Sequence, residues 1–130
     1  MDTMEVAEAL FRAIEAGDVE AVSRLYHPDV RVWHNTDDHA QTRDENLATL
    51  AWLVAHLGER RYEVLRREPL SDGFLQQHVL HGRFVDGSPL RLHAAMTVVV
   101  RDGLIVRIEE YLDSAGFVLP GSRGADAEAS

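Results

Sequence analysis

Apolar residues recur at helical spacing at Val6, Leu10 and Ile14, with Ala7 and Phe11 beside them, and Gly17 then offers a left-handed stop. A first helix ending at Gly17 is predicted. Asp18 can cap a second, short helix whose inward residues are Val22, Leu25 and Tyr26, closed by Pro28 because the residue before a proline resists the helical region. Residues 30–35 then read as a strand. Thr42 and Glu45 have the spacing of a capping box, and Leu47, Leu50, Ala51, Val54 and Leu57 follow on one stripe before Gly58. From Arg60 to about Leu112 the pattern is extended, with strands predicted over 62–70, 74–85, 90–101 and 104–112, punctuated by Ser71-Asp72-Gly73, Asp86-Gly87 and Asp102-Gly103. Helices grouped early and a meander of strands late make an α+β pattern. A single domain is expected over 1–120, with a flexible tail of Gly, Ala, Ser and acid over 121–130.

Alternation settles the faces of the last two strands. Leu90, Leu92, Ala94, Met96, Val98 and Val100 form an apolar face, while Arg91, His93, Thr97 and Arg101 fall on the other. On the final strand Leu104, Val106, Ile108 and Leu112 share a face, and Glu110 shares it with them. Pairing Val100 with Leu104 through a three-residue loop, Arg101-Asp102-Gly103, makes the two faces coincide and sets Ala94 opposite Glu110. An ionised carboxylate on an apolar face must be hydrogen-bonded, paired or partly protonated. Glu110 is therefore the leading candidate for chemistry, set against the plainer reading of a rim carboxylate that reaches water or pairs with a cation on a helix.

Two further candidates are imidazoles. His34 shares parity with Val30 and Val32 and so faces the core, and His78 shares a face with Phe74, Gln76, Leu80 and Phe84. Neutral imidazole is a general base near neutral pH, although a core histidine bonded to a main-chain carbonyl suits His78 equally. His81 lies on the opposite face and cannot chelate a metal together with His78. The run His34-Asn35-Thr36-Asp37-Asp38-His39 holds two histidines and two acids without a fixed ligand spacing, and no metal site is expected there. Trp33 and Asn35 alternate away from His34, which favours for Trp33 a place beneath the long helix or in a dimer contact. Both nevertheless complete the candidate ligand-binding set with Gln76, Met96 and Phe11; the candidate catalytic set is Glu110, His34 and His78.

Composition narrows the classes of function. The net charge is −9 and no stretch gathers Lys and Arg on one face, so a nucleic-acid partner is not expected. No apolar run approaches the roughly 20 residues that span a bilayer, and the opening MDTMEVAEAL carries acids where a secretory signal carries bases. Neither a membrane partner nor export is expected. The absence of cysteine excludes disulfides and thiolate zinc sites and suits a cytoplasmic protein.

The segments AGDVEAVSRLYHPDVRVWHN at 16–35, the helix over 42–57 and DGLIVRIEEYLDS at 102–114 resemble the nuclear transport factor 2-like superfamily. Within it they are similar to the branch of SnoaL-like polyketide cyclases, ketosteroid isomerases and limonene epoxide hydrolase-like enzymes. The resemblance implies a cone-shaped, curved antiparallel sheet with three helices over its concave face (a cystatin-like α+β barrel) and a pocket between them. It implies that Glu110 stands where the epoxide hydrolase-like members carry a catalytic acid, and His34 where the isomerase branch carries its proton-abstracting carboxylate. Gln76-Gln77-His78 replaces the Arg-x-Asp pair of the epoxide hydrolase-like members. The isomerase tyrosine falls on Leu10 or Phe11, and its second acid near Met96. What remains looks most like the cyclase and dehydratase end of the family. The expectation is a cofactor-independent acid-base enzyme for a small, largely apolar carbonyl compound, in which His34 or His78 removes a proton next to the carbonyl and Glu110 serves as partner acid or base. The alternative is a non-catalytic binding or association domain. The mixed outer face of Arg91, His93, Ala95, Thr97 and Val99 suits a homodimer contact.

Overall fold

In a computed structural model of the chain, residues 1–113 are described. The expected domain end at 120 and the tail over 121–130 lie outside the described residues. The elements run α1 (Thr3–Ala16), α2 (Val19–Leu25), β1 (Tyr26–His34), β2 (His39–Gln41), α3 (Arg43–His56), β3 (Leu57–Leu70), β4 (Gly73–Phe84), β5 (Pro89–Arg101) and β6 (Leu104–Leu112). Three helices thus accompany one curved, open six-stranded sheet in the order β2-β1-β6-β5-β4-β3, the α+β arrangement expected. No described helix is long and apolar enough to cross a membrane.

Local sequence explains the helix ends. Asp2 and Thr42 each accept from the main-chain N–H three residues on, while Glu5 and Glu45 reach back, closing two capping boxes. Gly17 ends α1 at φ 76, where its N–H meets the last carbonyls of the helix. No basic residue lies in the last turn of α1. Arg60, from β3, supplies the cation instead: it donates to the carbonyls of Ile14 and Glu15 at the end of α1, and to those of Val54 and Leu57 at the end of α3.

The sheet departs from the sequence reading in several places, among them β3, which starts at Leu57 and not at residue 62. The first strand begins at Tyr26 and runs through Pro28; its pairing with β6 is irregular between Tyr26 and Arg31, where a residue without an N–H costs no ladder bond. That pairing is parallel, and β2 adds a short antiparallel edge where no strand was predicted. At the far end the connection is the two-residue turn Asp102-Gly103, with φ 53 and 77, so Arg101 pairs with Leu104 and Val100 with Ile105. A bulge then inserts Val106, so Ile105, not Leu104 or Val106, is fully buried. The ladder continues with Val98 opposite Ile108, Met96 opposite Glu110 and Ala94 opposite Leu112. The expected pairing of Ala94 with Glu110 was thus out by two residues, which moves the partner but keeps Glu110 on the inner face.

Two apolar clusters fill the concave side. In one, Val6, Leu10, Phe11 and Ile14 of α1 pack with Val98, Ile105 and Ile108; in the other, Leu53 of α3 packs with Leu57, Leu80, Leu92 and Leu112. Each such side chain contributes about 1.5–3 kcal/mol by leaving water. α3 turns a different face inward from the one its leucines predict. Asn46, Thr49 and Leu53 are buried while Ala51 is exposed, which leaves polar side chains between the two clusters.

Candidate functional site

Strand pairing lines up one row of side chains across five strands. His34 on β1 pairs with Glu110 on β6, Glu110 with Met96 on β5, Met96 with Gln76 on β4, and Gln76 with Arg67 on β3. Paired residues share a face, so the whole row looks into the concave side. His78, two residues beyond Gln76, joins the same face. Arg67 reaches the row because a bulge at Leu65 shifts the register between Val64 and Arg66. A regular strand would have put Arg66 there.

Above this row lies a cavity of about 70 Å³, several times the roughly 10–15 Å³ that one water requires. α1 contributes Leu10, Phe11 and Ile14 to its wall, and α3 contributes Asn46, Thr49 and Leu53. The sheet contributes His34, His78, Met96 and Glu110, with Tyr26 and Tyr62 between.

Glu110 sits between the two imidazoles. Its Oε1 is 3.2 Å from His34 Nε2, and its Oε2 is 3.8 Å from His78 Nε2. Both rings are almost fully buried, with side-chain exposures of 8% and 1%, against 15% for the carboxylate. Burial pulls His34 down, but the hydrogen bond and charge of Glu110, with the charge of Asp37, outweigh it and leave His34 above its ordinary value. Burial leaves His78 below its ordinary value, with the Glu110 charge opposing the fall and the Arg67 charge adding to it. One carboxylate therefore faces two histidines whose proton affinities have moved apart, the pattern that separates an acid from a base in one site. Burial first, and the Glu110 charge second, raise the Tyr26 and Tyr62 hydroxyls above the ordinary phenol range, so both stay protonated.

Behind His78 the row continues as hydrogen bonds. Gln76 is fully buried; its Nε2 lies 2.8 Å from His78 Nδ1, and its Oε1 accepts from Arg67 Nε at 2.7 Å. Phe11 holds this corner by edge contacts with the His78 and Tyr62 rings at 5.6 and 4.8 Å, and the Arg67 guanidinium lies 5.5 Å from the Phe11 ring centre. The opposite wall carries a second chain. Tyr26 donates to Asn46 Oδ1 at 2.7 Å, Asn46 to Gln41 Oε1 at 3.0 Å, Gln41 to Thr49 Oγ1 at 3.0 Å, and Thr49 to the Glu45 carbonyl at 3.2 Å.

Of the sequence candidates, the structure brings Glu110, His34, His78, Met96 and Phe11 together around the cavity, with Gln76 directly behind. Trp33 and Asn35 do not reach it. Strand alternation turns Trp33 to the other side of the sheet, where its indole donates to Asp38 at 2.8 Å and meets the Tyr111 ring edge-on at 5.1 Å. Asn35 is exposed, and its amide accepts from and donates to the Leu112 main chain. His81 also faces outward, bonded to Glu63 at 2.8 Å. Tyr26, Asn46, Thr49, Tyr62 and Arg67 escaped the sequence reading as site residues. The only signal for the α3 pair was the spacing of Asn46, Thr49 and Leu53, which places them on one helical face.

The sequence profile of the SnoaL-like domain matches residues 7–108. The chain belongs to the SnoaL-like family. No curated protein matches it. Among solved structures, IdmH, a candidate polyketide cyclase from Streptomyces antibioticus, superposes with a TM-score of 0.77 at 18% identity, covering 88% of this chain and 94% of that one. A candidate SnoaL-like polyketide cyclase from Shewanella denitrificans gives 0.75 at 11% identity and 98% coverage of both chains. A hypothetical protein with a ketosteroid isomerase-like fold from Catenulispora acidiphila, crystallised with trimethylamine, gives 0.73 at 17% identity, covering 85% and 86%. At these identities the superpositions establish the fold. The profile match bears out the SnoaL-like resemblance read from the sequence, and the superpositions the cone-shaped α+β architecture it implied.

Proposed function

We propose that this SnoaL-like chain binds a small organic molecule in the cavity and acts on it as a cofactor-independent acid-base enzyme of the cyclase, isomerase or dehydratase type. The substrate class is a small, largely apolar, carbonyl-containing metabolite whose reacting end enters between α1, α3 and the sheet. One observation carries the reading: Glu110, buried in the polar row across the concave face, has His34 at 3.2 Å and His78 at 3.8 Å. In this scheme the Glu110 carboxylate removes a proton next to the carbonyl, and His34 partners it by holding charge and returning the proton. The apolar side chains of α1, Leu10, Phe11 and Ile14, limit water at the cavity and strengthen these interactions.

A thermal-shift screen of small carbonyl compounds finds ligands, since a molecule that binds only the folded state raises the midpoint. Turnover of those hits by wild type and Glu110→Gln then tests the chemistry. Unchanged turnover in the variant would remove Glu110 from the mechanism. A second reading, a non-catalytic ligand-binding or dimerisation domain, is favoured by the outer sheet face, where Leu65 and Tyr111 are 57% and 58% exposed. Stabilisation without product, together with a concentration-dependent dimer in sedimentation, supports that reading.

A further inference from the structure

The bonds behind His78 determine which of its nitrogens carries the proton. A guanidinium only donates, so the Gln76 atom facing Arg67 Nε at 2.7 Å is the carbonyl oxygen. Gln76 is wholly buried, and its amide nitrogen is thereby turned to His78 Nδ1 at 2.8 Å. An amide nitrogen donates and does not accept, so Nδ1 must offer its lone pair. The proton of the neutral ring then sits on Nε2, the nitrogen that faces Glu110 and the cavity.

We propose that Arg67 and Gln76 are positioning residues that lock His78 as the neutral, Nε2-protonated tautomer, making His78 a hydrogen-bond donor to a ligand oxygen and not a base. The 3.8 Å from Nε2 to Glu110 Oε2 is beyond hydrogen-bond length, which leaves this N–H free to address a carbonyl oxygen. The inference deepens the acid-base reading of the same cavity and rests on it for the identity of the ligand. In that chemistry the C–H bond breaks, its proton goes to Glu110, the electron pair moves through the new carbon-carbon double bond to the carbonyl oxygen, and the His78 N–H hydrogen-bonds the oxyanion without being transferred. Charging the ring would set a second N–H against the Gln76 amide. The groups facing it are consistent with neutrality: Arg67 opposes its protonation, burial against the Phe11 and Tyr62 rings does the same, and Glu110 alone favours it.

The tautomer is a property of the free protein, so its test needs no substrate and cannot be confused with a missing activity. Long-range proton-nitrogen NMR correlations on nitrogen-15-labelled protein distinguish protonated from bare ring nitrogens. The expected result near neutral pH is a bare Nδ1 and a protonated Nε2 for His78. A protonated Nδ1, or both nitrogens protonated, would overturn the proposal. Gln76→Glu presents an acceptor in place of the amide donor and is expected to move the proton to Nδ1 or charge the ring. Arg67→Leu should free the amide to rotate and mix the tautomers, while Arg67→Lys, which keeps a donor, should retain the lock. A single unchanged tautomer in Gln76→Glu and Arg67→Leu would show that these residues do not set it; if neither variant folds, the wild-type spectrum decides alone.

Discussion

Across the row of β1, β6, β5, β4 and β3 the polar groups hold or steer charge, whereas where α3 meets the β1–β2 edge Tyr26, Asn46, Gln41 and Thr49 relay hydrogen bonds along a neutral chain that ends on a main-chain carbonyl. Both walls satisfy the polar atoms they seal away: among the described residues no fully enclosed side-chain nitrogen or oxygen lacks a partner, whereas His78 Nε2 faces the cavity. The difference lies in what each can do besides persist. His34 and His78, on one carboxylate, have moved in opposite directions from the same starting value, because His34 gains Glu110 as a hydrogen-bond partner while His78 is buried and has Arg67 behind it. Burial pulls both rings down, and the outcome turns on whether the neighbouring groups outweigh it: they do at His34 and do not at His78.

Removing the charged centre should have the largest consequence. Glu110→Gln is expected to lower turnover of an identified carbonyl substrate by about 10²–10⁴-fold, the usual share of a general acid or base. In the same variant His34 should titrate lower, since its hydrogen bond to the carboxylate and the largest charge contribution are gone. Phe11→Ala comes next, because this ring packs against Tyr62 and His78 and lies next to Arg67. Urea denaturation should show a loss of about 3–5 kcal/mol.

Smaller effects separate the two walls. Asn46→Ala and Gln76→Ala each leave buried groups without partners, costing about 1–3 kcal/mol. In NMR titrations Asn46→Ala should leave the His34 and His78 curves in place, whereas Gln76→Ala should alter His78; identical responses would erase the contrast between the walls. The smallest expected signal is in the pH dependence of stability. His34 is raised above 6.5 in the folded state, so its contribution is fully present below 6.5 and is lost as pH rises through the folded value. His78 is lowered from 6.5, so its contribution is present above 6.5 and is lost as pH falls through the folded value. Compared with wild type from about pH 5 to about pH 8, His34→Asn should lose its disadvantage as pH rises, and His78→Asn as pH falls. Urea midpoints measure both.

The same contrast explains what could be read from the sequence. A period of two is unforgiving, so alternation alone put Glu110, His34 and Met96 on the inner face, and set His78 with Gln76 on one face of its strand without deciding which face turned inward. Even a register error of two residues between β5 and β6 left that result standing. The error came from choosing a three-residue loop to align the apolar faces, although Asp-Gly is the characteristic two-residue hairpin signal and a bulge could absorb the offset. Arg67 was illegible for a related reason: its inward position depends on the bulge at Leu65, which no local residue preference announces. The helix wall was hidden differently. Asn46 and Thr49 look like a solvated face when the leucines are used to find the core, and only the partners offered by Tyr26 and Gln41 make their burial tolerable. Trp33 and Asn35 lie off the cavity because the alternation that brought His34 inward sends its neighbours out.

Arg60 has a mechanical consequence. By gathering carbonyls from the ends of α1 and α3 onto one guanidinium, it stitches the two roof helices together at a single seam beside β3. Splaying them at that edge would strand several main-chain oxygens at once, so one side chain ties the pair of helices to the sheet.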